Sequence, residues 1–203
     1  VSDGEHHLIV KQSTLEARSK GSFTLDLNRY KLEYDAMKIC AAIVPDLIPK
    51  LYDCDEENRV FITEDVSYLR ISRFQLLKGV TYPKLADQIA RYMAATQFYT
   101  SEYYLDTKCF RDLSVHFMNT TMRKIMEVGM FLTSVTPEDT VGRPLDPEFI
   151  TFSKRICADP AVLLARQKLR HLFMSKGECL IHCDLHTSNI FASQTEAKVI
   201  DME

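Results

Sequence analysis

The chain has 203 residues, and 46% of them are hydrophobic, which is enough for the buried core of one large domain or two small ones. Its 25 Lys and Arg against 28 Asp and Glu give a net charge of −3, which argues against a nucleic-acid backbone as the main partner. The apolar runs are too short to cross a bilayer, and six cysteines without a CxxC pair favour reduced thiols and a cytoplasmic location.

The N-terminal third carries strand and helix patterns in turn. Residues 7–11 form a β-branched apolar run that predicts a strand. The apolar spacing over residues 24–44 predicts a helix, which Pro45 ends because proline cannot continue a helix. Residues 47–52 and 59–63 predict two further strands joined by an acidic turn. We expect a small sheet with one helix on it.

The rest of the chain is predicted to be mostly helical. The proline-containing residues 133–147 predict a loop, and strand patterns return near the end. The predicted helices are residues 83–100, 107–128 and 160–174, and the predicted strands are residues 179–181, 190–192 and 198–200.

The most informative stretch is HCDLHTSN, residues 182–189, which a strand pattern and the acidic DME of residues 201–203 follow. Phosphoryl transfer to an alcohol needs a carboxylate that orients the hydroxyl and takes its proton. It also needs oxygen ligands for magnesium and a cation for the phosphates. Kinase catalytic loops supply the first two as HxDLxxxN, with a metal-binding Asp on the next strand pair.

Five residues match this requirement in order along the chain. Asp184 and Asn189 have the catalytic-loop spacing, and Asp201 ends the next apolar strand. Lys11 on the first strand and Glu33 on the following helix complete the set. Each alone has a structural interpretation, as a turn residue or as a solvated charge, and only the combination favours phosphoryl transfer.

The histidines and cysteines of the same stretch allow other interpretations. Cys179, His182, Cys183 and His186 are zinc-type donors within eight residues. No second ligand pair follows at the usual long spacing, and strand alternation points Cys179 and His182 to opposite faces, so we expect core or loop roles for the cysteines. His182 is expected to hold the loop by hydrogen bonds, whereas His186 is either a loop scaffold or part of the site lining.

Three segments carry a family resemblance. They are LIVKQ at residues 8–12, VFITEDVSYL at residues 60–69 and LIHCDLHTSNIFASQTEAKVIDME at residues 180–203. They resemble the aminoglycoside phosphotransferase-like, or choline-kinase-like, branch of the protein-kinase fold, and within it the methylthioribose kinase family. The resemblance implies an α+β, protein-kinase-like two-lobe fold. Residues 1–66 would be a partial nucleotide-binding lobe, a sheet with one helix, and residues 67–203 a partial, mostly helical catalytic lobe.

The resemblance also implies a reaction and a site. The reaction is ATP-dependent phosphorylation of the anomeric hydroxyl of 5-methylthioribose in methionine salvage, and the implied assembly is a homodimer. The charge balance and the short apolar runs, not the resemblance, predict that neither nucleic acid nor membrane is a partner. Asp184 would be the catalytic base. The remaining implied roles are magnesium binding by Asn189, Asp201 and Glu203, phosphate contact by Lys11 held by Glu33, and adenine contact by backbone groups around Glu64 and Val66.

The departures from the family pattern leave alternatives open. The family carries Gly where this chain has Cys183 and usually Ser where it has Asn189. The chain matches neither the family's glycine-rich hairpin nor its C-terminal sugar-binding part. We therefore expect the central portion of a longer enzyme, with little turnover from residues 1–203 alone. The alternatives are a kinase of choline, homoserine, an aminoglycoside or another sugar, and an inactive pseudokinase module.

Overall fold

The chain folds as two units, which are described separately. One unit comprises Val1–Phe117 with Glu178–Glu203, and the other comprises Met118–Gly177. The computed structural model describes residues 1–2, 4, 7–14, 26–133 and 146–202. The boundary predicted after residue 66 stays a prediction.

The first unit begins with a three-stranded antiparallel sheet. Its strands are β1 (Leu8–Gln12), β2 (Leu51–Asp55) and β3 (Val60–Glu64), and β3 lies in the centre of the sheet. Along β3 the side chains of Phe61 and Thr63 are buried and alternate with half-buried neighbours, as the two faces of a strand require. Lys11 is paired with Phe61 across the ladder, so these two side chains share the core-facing side of the sheet.

Helix α1 (Arg29–Ile43) packs on this sheet through a buried stripe. The stripe consists of Tyr30, Ala36, Met37 and Cys40, and Tyr34 lies 5.8 Å from Phe61 between ring centroids. The helix begins at Arg29, because the preceding described residues form a turn in which the Asp26 carboxylate accepts a hydrogen bond from the Asn28 amide at 2.8 Å. Residues 24 and 25 of the predicted helix lie outside the described residues.

A second antiparallel sheet completes the first unit. It contains β4 (Arg70–Ile71), β5 (Ile190–Ala192) and β6 (Ala197–Val199) in that spatial order. Between β4 and β5 in sequence, this unit has α2 (Ser72–Leu76), α3 (Leu85–Tyr99) and α4 (Thr107–His116). The buried residues of β5 and β6 share one core with α1 and β3. That shared core is what places the C-terminal segment beside the N-terminal sheet.

The second unit is helical in its described part. It contains α5 (Thr120–Met126), a π-helical turn (Glu127–Thr133), α6 (Pro147–Ala158) and α7 (Pro160–Ser175). Asp146 and Asp159 cap α6 and α7 by accepting hydrogen bonds from backbone amides at 2.8 Å, and each is followed by a proline at the first helical position.

The mixed α and β content with small antiparallel sheets confirms the predicted α+β class and agrees with a partial kinase-like fold. Several predicted elements were wrong in detail. Residues 107–128 do not form one helix, because Asn119 has a φ of +37° and caps a new helix with its side chain. Residues 179–181 form no strand, and helix α6 was not predicted. The predicted loop at residues 133–147 lies mostly outside the described residues.

The bounds of the first three strands also differ from the prediction. Strands β1 and β3 each lie one residue later than predicted, at Leu8–Gln12 and Val60–Glu64. Pro45–Leu47 forms a 3-10 turn, so β2 starts at Leu51 instead of residue 47.

Among the described helices, none is both long and apolar enough to span a membrane.

Candidate active site

A cavity of about 280 Å³ opens in the first unit beside β1 and α1. An apolar pocket with a few convergent charged groups is typical of a small-molecule site. The cavity is lined by Ile9, Lys11, Glu33, Met37, Pro49, Thr63, Glu64, Asp65, Val66, Ser67, Phe191, Ile200 and Asp201.

Lys11 forms the charged centre of the cavity. Its ammonium group contacts carboxylate oxygens of both Glu33 and Asp201 and lies 5.7 Å from the ring centroid of Phe61. Burial by itself would lower the pKa of Lys11, but the carboxylates of Glu33 and Asp201 raise the pKa by more. The pKa of Lys11 therefore lies above its ordinary value of 10.5. Lys11 is therefore a cation at neutral pH, positioned by residues from a helix and from the C-terminal segment.

Glu64 and Val66 also line the cavity, at the end of β3 and just beyond it. The Glu64 carboxylate accepts a hydrogen bond from the Lys50 amide at 3.0 Å and lies 4.0 Å from the ammonium of Lys198. The Glu64 amide also bonds to Lys50, donating to its carbonyl at 2.9 Å. Val66 is buried, and its carbonyl accepts a hydrogen bond from the Leu69 amide at 3.0 Å.

Two backbone hydrogen bonds shape the loop that carries Asp184. The His186 amide donates to the Asp184 carbonyl at 3.0 Å, and the Asn189 amide donates to the His186 carbonyl at 2.9 Å. These turns bring Asn189 back to Asp184, where its side-chain Nδ2 donates to the Asp184 carbonyl at 3.0 Å and lies 3.4 Å from Oδ2. The Asp184 side chain is 44% exposed, so it remains accessible to a substrate.

His182 holds this loop to the C-terminal segment. Its Nε2 donates to the Ile200 carbonyl at 2.9 Å, and its Nδ1 accepts from the Asp184 amide at 3.3 Å. Burial lowers the pKa of His182, so the neutral ring is the favoured form. This is the structural role that the sequence predicts for His182.

Two residues of the site have left-handed backbone conformations. Cys183 has a φ of +69° and Asp201 a φ of +67°. Such conformations cost a non-glycine residue about 1–3 kcal/mol and cluster at functional sites. The left-handed φ at Cys183 also gives a physical reason for glycine at this position in the family pattern, since glycine adopts positive φ without a Cβ clash.

Sequence reasoning missed a second support of the loop. The hydroxyl of the fully buried Ser72 donates to the Thr187 carbonyl at 2.7 Å, and the Arg73 amide donates to the same oxygen at 3.0 Å. Ser72 stands at the start of α2, 115 positions before Thr187. A serine after a short strand carries no local signal for this contact.

Magnesium prefers oxygen ligands and usually takes one or two carboxylates together with substrate phosphates. Because Asn189 uses its amide nitrogen on Asp184, its amide oxygen is the atom that can serve a cation. Oδ1 of Asp201 contacts Lys11, so Lys11 and magnesium would share this carboxylate. An amide oxygen and a carboxylate are donor types that magnesium takes. Within the described ranges, His, Cys, Asp and Glu side chains form no group of three or more around a metal position, and this includes the four residues weighed for zinc. Glu203, the third predicted magnesium ligand, lies outside the described residues.

The structure brings most of the predicted site residues together. Five of them line the cavity: Lys11, Glu33, Glu64, Val66 and Asp201. Asp184 and Asn189 do not line it, but the Ile200 amide donates to the Asn189 carbonyl at 3.0 Å, one residue before Asp201. The loop that carries Asp184 and Asn189 is therefore hydrogen-bonded to the segment that contains the cavity residues Ile200 and Asp201.

Comparison with known proteins finds relatives that align with the whole length of this chain. Methylthioribose kinase of Bacillus cereus (strain ATCC 10987 / NRS 248) is 37% identical over 204 aligned positions, which cover 100% of this chain and 51% of that enzyme. The chain is a relative of methylthioribose kinases. The enzymes of that name from Bacillus thuringiensis (strain Al Hakam) and Bacillus anthracis (strain A0248) are each 36% identical over the same shares. The resemblance predicted from the sequence is thereby confirmed.

The chain spans about half the length of these methylthioribose kinases. No protein-family model matches it.

Proposed function

We propose that the protein containing this chain is an ATP-dependent kinase that phosphorylates the anomeric hydroxyl of 5-methylthioribose, a step of methionine salvage. The observation that carries the proposal is the convergence of Lys11, Glu33 and Asp201 at one cavity, next to a loop that holds Asp184 against Asn189. The name shared by the relatives supports the choice of sugar.

Different residues of the cavity would bind different parts of ATP. Backbone groups around Glu64 and Val66, which line the cavity, would bind the adenine ring, as the family resemblance implies. Lys11 would contact the α- and β-phosphates, and Glu33 would hold the lysine in place. A compact ammonium fits this role because it acts as a point charge toward phosphate oxygens.

Asp184 would orient the sugar hydroxyl and accept its proton. Phosphoryl transfer is largely a matter of positioning and charge neutralisation, so a carboxylate held in a fixed place is sufficient for this role. Asn189 and Asp201 would hold magnesium, and the sequence adds Glu203 as a further ligand. When bound, Mg²⁺ would neutralise the charge that develops on the transferred phosphoryl group.

The experiment is a magnesium-dependent ATP turnover assay of the intact gene product against methylthioribose, ribose, choline, homoserine and kanamycin. Selective turnover of methylthioribose is the expected result. Turnover of another of these alcohols would overturn the substrate and leave the site roles in place. Nucleotide binding without turnover of any of them would overturn the kinase proposal in favour of a pseudokinase.

A further inference from the structure

The side chain of His186 lies next to the proposed catalytic carboxylate. Its Nε2 is 3.5 Å from Oδ2 of Asp184, and the imidazole is 49% exposed. It is therefore not a core residue. At this distance the contact is longer than a good hydrogen bond, but bonds to catalytic groups are often long before the substrate binds and shorten in the reacting complex.

The hydrogen bonds around His186 determine which ring nitrogen carries the proton. Its Nδ1 accepts a hydrogen bond from the Ser188 amide at 3.2 Å, so Nδ1 bears a lone pair. In the neutral ring the proton then stands on Nε2, the nitrogen that faces Asp184. His186 thus presents a donor to the carboxylate.

The backbone of the loop holds the ring in that orientation. The amide and carbonyl of His186 bond to Asp184 and Asn189, respectively. The next residue, Thr187, is held through its carbonyl by Ser72 and by the Arg73 amide. The bond from the Ser188 amide to Nδ1 adds one contact of the ring itself to this fixed backbone.

Both neighbours of the Asp184 carboxylate contact the same oxygen. Asn189 Nδ2 lies 3.4 Å from Oδ2, and His186 Nε2 lies 3.5 Å from it. Both donors lie on the Oδ2 side of a carboxylate whose side chain is 44% exposed. Two donors near Oδ2 favour an orientation of the carboxylate in which Oδ1 points away from them.

We propose that His186 is a positioning residue for Asp184, whose Nε2–H donor holds Oδ2 so that Oδ1 is directed at the hydroxyl to be phosphorylated. The inference rests on the proposed phosphoryl transfer, because it assigns the role of a residue in that reaction. It goes beyond the sequence, in which a loop scaffold and a lining residue were equal alternatives for His186.

Two substitutions separate the positioning role from a loop-holding role. His186→Gln places an amide donor near the position of Nε2 and loses the acceptor for the Ser188 amide. His186→Asn retains an acceptor near Nδ1 for the Ser188 amide and loses the donor toward Asp184. His171→Asn, at an exposed position of α7, is the matched control.

The assay measures kcat and the KM for ATP of the intact gene product with methylthioribose. We expect His186→Asn to lower kcat about tenfold to a hundredfold with little change in KM or Tm, because a misplaced catalytic group costs on this scale. We expect His186→Gln to retain kcat within about threefold and His171→Asn to match the wild type. Equal losses in the Asn and Gln variants, or no loss in the Asn variant, would overturn the inference.

A second measurement does not depend on turnover. Two-bond ¹⁵N–¹H NMR correlations of the intact gene product, assigned by the loss of signals in His186→Gln, report the tautomer of His186. A protonated Nε2 whose shift changes in Asp184→Asn is the expected result, and a protonated Nδ1 would overturn the inference. If no alcohol in the panel is phosphorylated, the proposed function fails and the tautomer alone decides whether His186 donates to Asp184.

Discussion

The ammonium of Lys11 contacts the carboxylate of Asp201, which lies 190 positions later in the chain. The contact joins the first strand of the N-terminal sheet to the segment that follows the last strand of the second sheet. Glu33 of α1 contacts the same ammonium, so three distant parts of the first unit meet at one charge. Both carboxylates contribute to the raised pKa of Lys11.

Removing this charge should destabilise the protein in a pH-dependent way. In Lys11→Met, Glu33 and Asp201 would face each other without a cation, and we expect a loss of about 2 kcal/mol in the free energy of unfolding. Because the folded pKa of Lys11 is raised, its contribution is complete below the unfolded value of 10.5 and is lost as pH rises through the higher folded pKa. The difference between wild type and variant should therefore be constant from pH 7 to about 9.5 and shrink above about 10.5.

Urea unfolding across this pH range measures the difference. Lys108→Met is the control, because Lys108 pairs with Asp112 on an exposed helix face, where solvent screens the pair and it adds little to stability. A Lys11→Met variant as stable as the wild type at pH 7 would show that the contacts of Lys11 with Glu33 and Asp201 do not stabilise the fold.

His182 should make the protein less stable in mild acid. Its folded pKa is lowered by burial, so the unfolded chain binds a proton that the folded chain resists. The neutral ring of His182 contributes fully to the free energy of unfolding above pH 6.5, the pKa of histidine in the unfolded chain. This contribution is lost as the pH falls below 6.5, and the free energy of unfolding then decreases by at most about 1.4 kcal/mol per pH unit.

Chemical unfolding at pH 7, 6 and 5 tests this expectation. His182→Gln, which cannot titrate, should show a smaller decrease in stability over this range than the wild type. His171→Gln, at an exposed histidine, should retain the wild-type decrease. Parallel curves for wild type and His182→Gln would show that His182 does not resist protonation.

Cys183 offers a direct test of backbone strain. At its φ of +69° a glycine is relaxed, whereas any residue with a Cβ is strained. Cys183→Gly should therefore be more stable than Cys183→Ala by about 1 kcal/mol, since both variants lose the thiol and only one keeps the Cβ. Denaturant unfolding of the pair measures this, and a more stable alanine variant would rule out strain at Cys183.

Ser72→Ala removes one of the two donors to the Thr187 carbonyl. The Arg73 amide still donates to that oxygen, so we expect a modest loss of about 1 kcal/mol in unfolding free energy, with a lower kcat. Ser188→Ala, which removes only a 3.4 Å contact with the Arg73 guanidinium, is the control and should cost less. An unchanged kcat in Ser72→Ala would show that this bond does not position the loop.

The sequence predicts those parts of the site that are marked by local motifs or by local periodicity. The HxDLxxxN spacing is a property of eight neighbouring residues, and the strand and helix that carry Lys11 and Glu33 follow from periodicity. The contact of Lys11 with Asp201 could be expected only through the family resemblance. The roles of these residues stay predictions, although the structure brings Lys11, Glu33 and Asp201 together.

The features that the sequence did not predict depend on tertiary contacts or on the backbone conformation of a single residue. The bond from Ser72 to Thr187 joins residues 115 positions apart, and serine occurs too widely to mark such a contact. The break before α5 depends on the left-handed Asn119, which interrupts an otherwise continuous helical period. Residues 179–181 have strand-like composition, yet they form no ladder within the described sheets.

Asp184→Asn removes the carboxylate that we propose as the base for phosphoryl transfer and keeps a side chain of the same size. The measurement is magnesium-dependent phosphorylation of methylthioribose by the intact gene product, together with the Kd for ATP. We expect the variant to fold and to bind ATP with the wild-type Kd, while its kcat falls by about 10²- to 10⁴-fold. A variant that binds ATP normally and retains turnover within a few-fold of the wild type would contradict the role of Asp184.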